Sequence, residues 1–171
     1  MPTLHLLRHA KSSWDDLRVA DHDRPLSERG ERAAAAMAAY LRQSGIAPDL
    51  VLCSSARRTA DTLALLRRGL PDRLAVETRR DLYEVGAGDL LDALLRVPDT
   101  VETLMLVGHN PGLEDLATAL AGPDSDPGSR EALARKFSTG ALATLAFDGA
   151  WAALAAGGAR LTRFITPKDL V

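Results

Sequence analysis

The sequence predicts an α/β chain: a three-layer α/β/α sandwich around a mainly parallel sheet of about six strands. Three observations predict it. Short apolar runs alternate with longer helix-like segments from one end to the other, the pattern of βαβ units. Turn-forming residues punctuate the junctions. The last two apolar runs are only about a dozen residues apart, too few for a helical crossover, so one strand is expected to run antiparallel.

The elements follow in order. Thr3–Arg8 is the first strand, and the Asp-rich stretch Trp14 to Pro25 is a loop. Ser27 is placed as an N-cap, and Glu31 to Gln43 is an alanine-rich helix stopped at Gly45. Asp49–Cys53 is a strand, followed by a helix over Arg57–Arg68. Leu74–Glu77 is a short strand, and Asp89–Arg96 is a helix stopped by Pro98. Thr103–Val107 is a strand with Pro111–Leu120 as its helix. Gly122–Ser129 mixes Gly, Pro, Asp and Ser densely and reads as an exposed loop. Ala141–Phe147 and Arg160–Ile165 are the last strands, with a short helix or turn at Trp151–Ala155 between them. No repeat, heptad pattern or linker divides residues 1–171, so one domain is expected.

Composition narrows the function classes. Twenty-one Lys+Arg against 23 Asp+Glu give a net charge of −2, which argues against general nucleic-acid binding. The single cysteine, Cys53, can form neither an internal disulfide nor a thiolate zinc site. The apolar start reaches Arg8, His9 and Lys11 too soon for a signal peptide, and no stretch is long enough to span a membrane. A cytoplasmic protein with no membrane or nucleic-acid partner is expected.

In open α/β sheets ligands bind beyond the carboxyl ends of the strands. The segments there are Arg8-His9-Ala10-Lys11-Ser12-Ser13-Trp14, Ser54-Ser55-Ala56-Arg57-Arg58-Thr59 and Gly108-His109-Asn110-Pro111, with Asp81-Leu82-Tyr83-Glu84 between them. Histidines, arginines and a carboxylate therefore converge on one sheet edge. Arginine forks match phosphate oxygens and stay charged. A neutral imidazole is a nucleophile toward phosphorus, and a protonated one donates to phosphate oxygens. A carboxylic acid can protonate a departing atom. With arginines supplying positive charge, neither metal nor cofactor is required. The expected local charge is strongly positive.

Leu7-Arg8-His9-Ala10, then Ser54-x-x-x-Arg58-x-x-x-Thr62, then Val107-Gly108-His109-Asn110-Pro111 resemble the histidine phosphatase superfamily, the phosphoglycerate-mutase-like fold. Arg8 to Trp14, the Asp23-Arg24-Pro25-Leu26-Ser27 turn and Lys136-Phe137-Ser138-Thr139-Gly140 look like the small SixA-type phosphohistidine phosphatases of bacteria. The resemblance covers nearly the whole chain. It implies that His9 is the phosphorylated nucleophile, that Arg8, Arg58 and His109 hold the phosphoryl oxygens, and that Glu84 is a proton donor. Ser12, where many relatives carry Thr, joins the phosphate contacts. Asp15 stands where many carry Asn and is expected outside direct contact. Ser55 replaces a common proline. The implied substrate is a phosphohistidine on a signalling or phosphotransfer protein. A small phosphate ester and a non-catalytic phosphate-binding module are the alternatives. The oligomeric state is open, with a monomer compatible.

Other residues are expected to stand aside. His5 alternates with Leu4 and Leu6 and reads as a packed strand histidine. His22 reads as exposed, with contact to a protein substrate as the alternative; Lys11 reads as a loop lysine or a phosphate contact; Trp14 reads as loop packing, with a pocket wall as the alternative; and Arg57 reads as facing away from the site. A cysteine-phosphatase loop needs an arginine at the sixth position after the cysteine, where this chain has Thr59, so Cys53 reads as a buried small hydrophobe. There is no Gly-x-x-x-x-Gly-Lys-Ser/Thr loop and no Gly-x-Ser-x-Gly elbow.

Overall fold

A computed structural model describes residues 1–170. The strands are β1 (Thr3–Arg8), β2 (Leu50–Ser54), β3 (Ala75–Arg79), β4 (Thr103–Gly108), β5 (Leu142–Ala146) and β6 (Arg160–Ile165). The α-helices are α1 (Glu28–Gln43), α2 (Arg57–Leu66), α3 (Ala87–Leu95), α4 (Gly112–Leu120) and α5 (Pro127–Arg135). One sheet holds all six strands in the order β3-β2-β4-β1-β5-β6. β1, β2, β3 and β4 pair in parallel. β5 is antiparallel to both of its neighbours, β1 and β6, so it is the reversed strand that the short last connection demanded.

Alternation along the strands divides the core. Leu4, Leu6, Leu52, Leu104 and Leu106 face one side, where Leu90 and Leu94 of α3, Leu113 and Leu116 of α4 and Leu133 of α5 cover them. Leu7, Val51, Cys53, Met105 and Val107 face the other side, against Met37 and Leu41 of α1 and Leu63 and Leu66 of α2. Strands buried on both faces read as continuous apolar runs, which is how β1, β2 and β4 look in the sequence. β3 is the edge strand and is largely exposed. His5 is buried, with Nδ1 3.0 Å from Thr144 Oγ1, and burial pushes it down to about 4.

Several boundaries differ from the sequence reading. Gly122–Ser129 is not all loop: Asp126 caps a helix by accepting from Ser129 N–H at 2.8 Å, and Pro127 opens α5. Proline at the first helical position loses no hydrogen bond, so the same Asp-Pro-Gly-Ser run that reads as a turn also starts a helix. α3 begins earlier than expected, at Ala87. Ser27 does cap α1, accepting from Gly30 N–H at 3.0 Å.

The layers position the site. The chain leaving β1 and that leaving β2 enter helices on one face, whereas the chain leaving β4, which lies between them, enters α4 on the opposite face. Divergence of neighbouring connections opens a crevice at the carboxyl ends of these three strands.

Candidate active site

The crevice receives Arg8 and His9 from β1, Ser54 and Arg58 from β2 and α2, and His109 from β4. Arg58 opens a helical face with Thr62 one turn on. Thr62 Oγ1 donates to the Arg58 carbonyl at 2.7 Å and accepts Ala10 N–H at 3.0 Å, tying the turn after His9 to α2. Gly30 packs against that turn: a Cβ there would lie 2.1 Å from the Lys11 carbonyl oxygen. At Gly112 a Cβ would lie 2.3 Å from the Val85 carbonyl oxygen, so α4 sits directly against the segment carrying Glu84.

His9 is 7% exposed, and its Nδ1 lies 2.7 Å from the carbonyl oxygen of Ala10. A carbonyl only accepts, so Nδ1 carries the proton and Nε2 the lone pair. Burial pushes His9 down to about 4; the Ala10 carbonyl opposes the shift, and Arg58, Arg8 and Arg24 reinforce it. His9 is therefore a neutral imidazole at pH 7. The His109 ring lies 5.3 Å from it, centroid to centroid. Burial, then His9 and Arg58, push His109 down to about 3. Its Nε2 is 2.8 Å from Ser54 Oγ, and its Nδ1 lies 3.4 Å from Arg58 Nη2 and 3.5 Å from Glu84 Oε1.

Arg58 is 2% exposed and heavily bonded. Its Nη1 donates to the Asp21 carbonyl at 2.8 Å, and its Nη2 donates to Asp21 Oδ2 at 3.2 Å and to Glu84 Oε1 at 2.7 Å. Glu84 holds this contact from a left-handed backbone, φ 54°, which L-residues rarely adopt. Strain of that kind persists where neighbouring packing over-determines it. Arg8 Nη1 donates to the Phe137 carbonyl at 3.0 Å. Among the described residues, the buried side-chain N or O atoms without a hydrogen-bond partner are the Nε atoms of Arg8 and Arg58. Leaving a buried donor unpaired costs about 1–3 kcal/mol. That both lie on arginines of one crevice marks it as a place built for an acceptor-rich ligand.

The crevice thus brings together Arg8, His9, Arg58, Glu84 and His109. Ser12 is buried close by, but its Oγ accepts from Arg24 Nη1 at 2.8 Å, so it orients an arginine. The expectation of strong positive charge needs correction. His109 is neutral, and Asp21 and Glu84 balance Arg58 directly. Asp21 is the residue sequence reasoning missed. It also pairs with Arg24 at 3.1 Å and accepts a hydrogen bond from the Tyr83 hydroxyl. That bond, helped by Arg58 and Arg24, holds the Asp21 carboxyl below its usual range against the opposing effect of burial. The only signal was its place in the Asp-rich loop, next to the Asp23-Arg24 turn.

His22 also departs from expectation. It is half-buried, with Nε2 2.9 Å from Ser55 Oγ and its ring edge-on to Tyr83 at 4.8 Å. Trp14 is 63% exposed rather than packed into the loop, and the Arg24 guanidinium carbon lies 3.5 Å from its ring centroid. Asp15 is exposed, and only its backbone N–H is engaged, by Ser13 Oγ at 3.1 Å. Arg57 faces away, pairing with Asp61 at 3.5 Å. Cys53 is buried in the sheet and burial pushes its thiol up to about 12, leaving no thiolate for chemistry. Among the described residues, no group of three or more His, Cys, Asp or Glu side chains is placed to hold a metal ion. No helix among them is long and apolar enough to cross a membrane.

Residues 4–96 match the model of the histidine phosphatase superfamily, branch 1. The chain belongs to that superfamily. It is 40% identical to an uncharacterized protein of Mycobacterium tuberculosis over 95% of this chain and 100% of that one. A solved structure from Nakamurella multipartitia, carried under the provisional name phosphohistidine phosphatase SixA, superposes with a TM-score of 0.84 at 38% identity, covering 97% and 96% of the two chains. A protein of Agrobacterium tumefaciens with the same provisional name gives 0.83 at 30% identity over 98% and 99%. The fold is the phosphoglycerate-mutase-like sandwich, and the family supports a phosphatase.

Proposed function

We propose that this histidine phosphatase works through a phosphorylated His9 without a metal, and that it removes phosphate from phosphohistidine on a signalling or phosphotransfer protein. The observation that carries the reading is the state of His9: a neutral ring, its Nδ1–H spent on a main-chain carbonyl, set among Arg8, Arg24 and Arg58. A carbonyl-held tautomer leaves Nε2 free to attack, and the arginines stabilise the charge that moves onto the phosphoryl oxygens.

In the first step the Nε2 lone pair forms a bond to phosphorus, and the bond from phosphorus to the substrate nitrogen breaks. The departing nitrogen keeps that electron pair and takes a proton. Phosphoryl oxygens replace the carboxylates on Arg58, and Glu84, freed from that contact, passes a proton from solvent to the departing nitrogen. His109 gains a proton beside the dianion and donates from Nδ1, with Nε2–H donating to Ser54. In the second step water attacks phosphorus, the Nε2–P bond breaks and its pair returns to His9, and phosphate leaves. The end-to-end likeness to the Nakamurella and Agrobacterium proteins, by their provisional names, supports a phosphohistidine over a small ester.

Rapid mixing with a phosphohistidine protein, quenched without acid, tests the reading. Wild type should trap a labelled phosphoenzyme that His9→Ala lacks, and the variant should lose turnover by more than about a thousand-fold. Chelator should leave wild-type turnover intact. Turnover that survives His9→Ala overturns the mechanism. Faster turnover of small esters than of phosphohistidine protein overturns the substrate.

A further inference from the structure

The chain has only three lysines, Lys11, Lys136 and Lys168, and all three line one groove beside the crevice. Arg8, Arg29 and Arg135 line it too, and the space measures about 700 Å³. The groove runs between the turn after His9, the start of α1, the end of α5 and the segment after β6. Lys11, Arg29, Arg135, Lys136 and Lys168 are exposed, and none forms an ion pair within 4.0 Å among the described residues. The one carboxylate in the lining, Asp169, is turned to its own segment, accepting from Thr166 N–H at 2.8 Å and Thr166 Oγ1 at 3.1 Å.

A chain of net charge −2 has acid enough to pair these groups, yet five cations stand together unpaired. Their repulsion is tolerated because water screens each one. The groove is also joined to the site. Arg8 belongs to both, and its Nη1 donates to the carbonyl of Phe137, the residue after Lys136.

We propose that this groove docks an acidic segment of the phosphoprotein substrate, carboxylates flanking the phosphorylated side chain, while the phosphoryl group lies in the crevice. The proposal rests on the protein-substrate reading above. An acidic polypeptide fits better than a compact polyanion. The cations are exposed and spread over four separate segments, a loose array that suits successive side-chain carboxylates. A compact ligand needs buried, converging donors. Charge matching of this type raises the association rate and fades with salt.

Synthetic phosphohistidine peptides test it, one flanked by glutamates and one by serines, with phosphoramidate as a substrate that cannot reach the groove. Wild type should favour the glutamate peptide in kcat/KM by at least about ten-fold at low salt, and the preference should collapse near 0.5 M salt. The triple variant Arg135→Gln/Lys136→Gln/Lys168→Gln should lose the preference and keep wild-type rates on phosphoramidate and on the serine peptide. A glutamate peptide without phosphate, followed by fluorescence anisotropy, tests docking apart from chemistry: it should bind wild type and not the variant. Failure to hydrolyse phosphohistidine while that binding persists refutes the substrate reading and leaves the groove standing. Equal rates on both peptides, equal loss on all substrates, or binding of inorganic tripolyphosphate without binding of the glutamate peptide overturns the docking proposal.

Discussion

Lowering the pH of the unliganded protein probes the site most directly. His9 stands at about 4 because burial and three arginines disfavour its charged form. At pH 5.5 an ordinary histidine near 6.5 would be about 9% neutral, whereas one near 4 is about 97% neutral, a difference of roughly ten-fold in the nucleophilic form. Histidine ring resonances in NMR, assigned by loss of one set in His9→Ala, should show no titration of His9 between pH 8 and 5.5. The resonances of His109, pushed down to about 3, should be equally flat. kcat/KM reports the free enzyme, so once corrected for the ionisation of the substrate it should fall less than two-fold over the same window. A His9 that titrates near 6.5, with kcat/KM falling about ten-fold by pH 5.5, would refute the burial argument and with it the resting nucleophile.

Acid should also unfold the protein. His5 is neutral in the fold and near 4, so the unfolded chain binds its proton more readily; this stability is full above pH 6.5 and is lost as pH falls toward 4, by about 3 kcal/mol. In denaturant titrations, His5→Leu should shrink the loss between pH 6.5 and 4 by about that amount, and an unchanged loss would count against the assignment. Asp21→Asn removes a carboxylate that competes for Arg58 while leaving that guanidinium less well held. Turnover should drop about ten-fold while product phosphate inhibits more tightly; no change in either would exclude Asp21 from positioning Arg58. Gly112→Ala sets a Cβ 2.3 Å from the Val85 carbonyl oxygen, a backbone atom that cannot swing aside. It should cost at least about 2 kcal/mol of stability by thermal melting, and kcat should drop as Glu84 shifts; a melting point within a degree of wild type would contradict the close approach.

Much of this was legible in the sequence because it is local. Apolar runs at β1, β2 and β4 mark buried parallel strands, and Ser27 and Gly45 mark the ends of α1. The short connection before β6 required a reversed strand, though which one depended on pairing: β5 reverses because it lies between β1 and β6. α5 stayed hidden because Asp126-Pro127-Gly128-Ser129 has turn chemistry and helix-start chemistry at once. His9, Arg58 and His109 were legible because each follows a strand at a sheet edge where ligands gather.

The sequence by itself determined the layers, the edge at which chemistry is possible, and the family whose motifs occupy it. Tertiary structure decided the electrical state of that edge. Charges counted along the chain cannot tell that Asp21 and Glu84 close on Arg58, or that burial strips the charge from His9 and His109. Nor can they tell that three lysines separated by more than 150 residues share one groove. Sequence periodicity reports which face a residue takes, because that depends on its near neighbours. Ionisation and long-range juxtaposition depend on which distant segments the fold brings into contact, and only the packed chain specifies those.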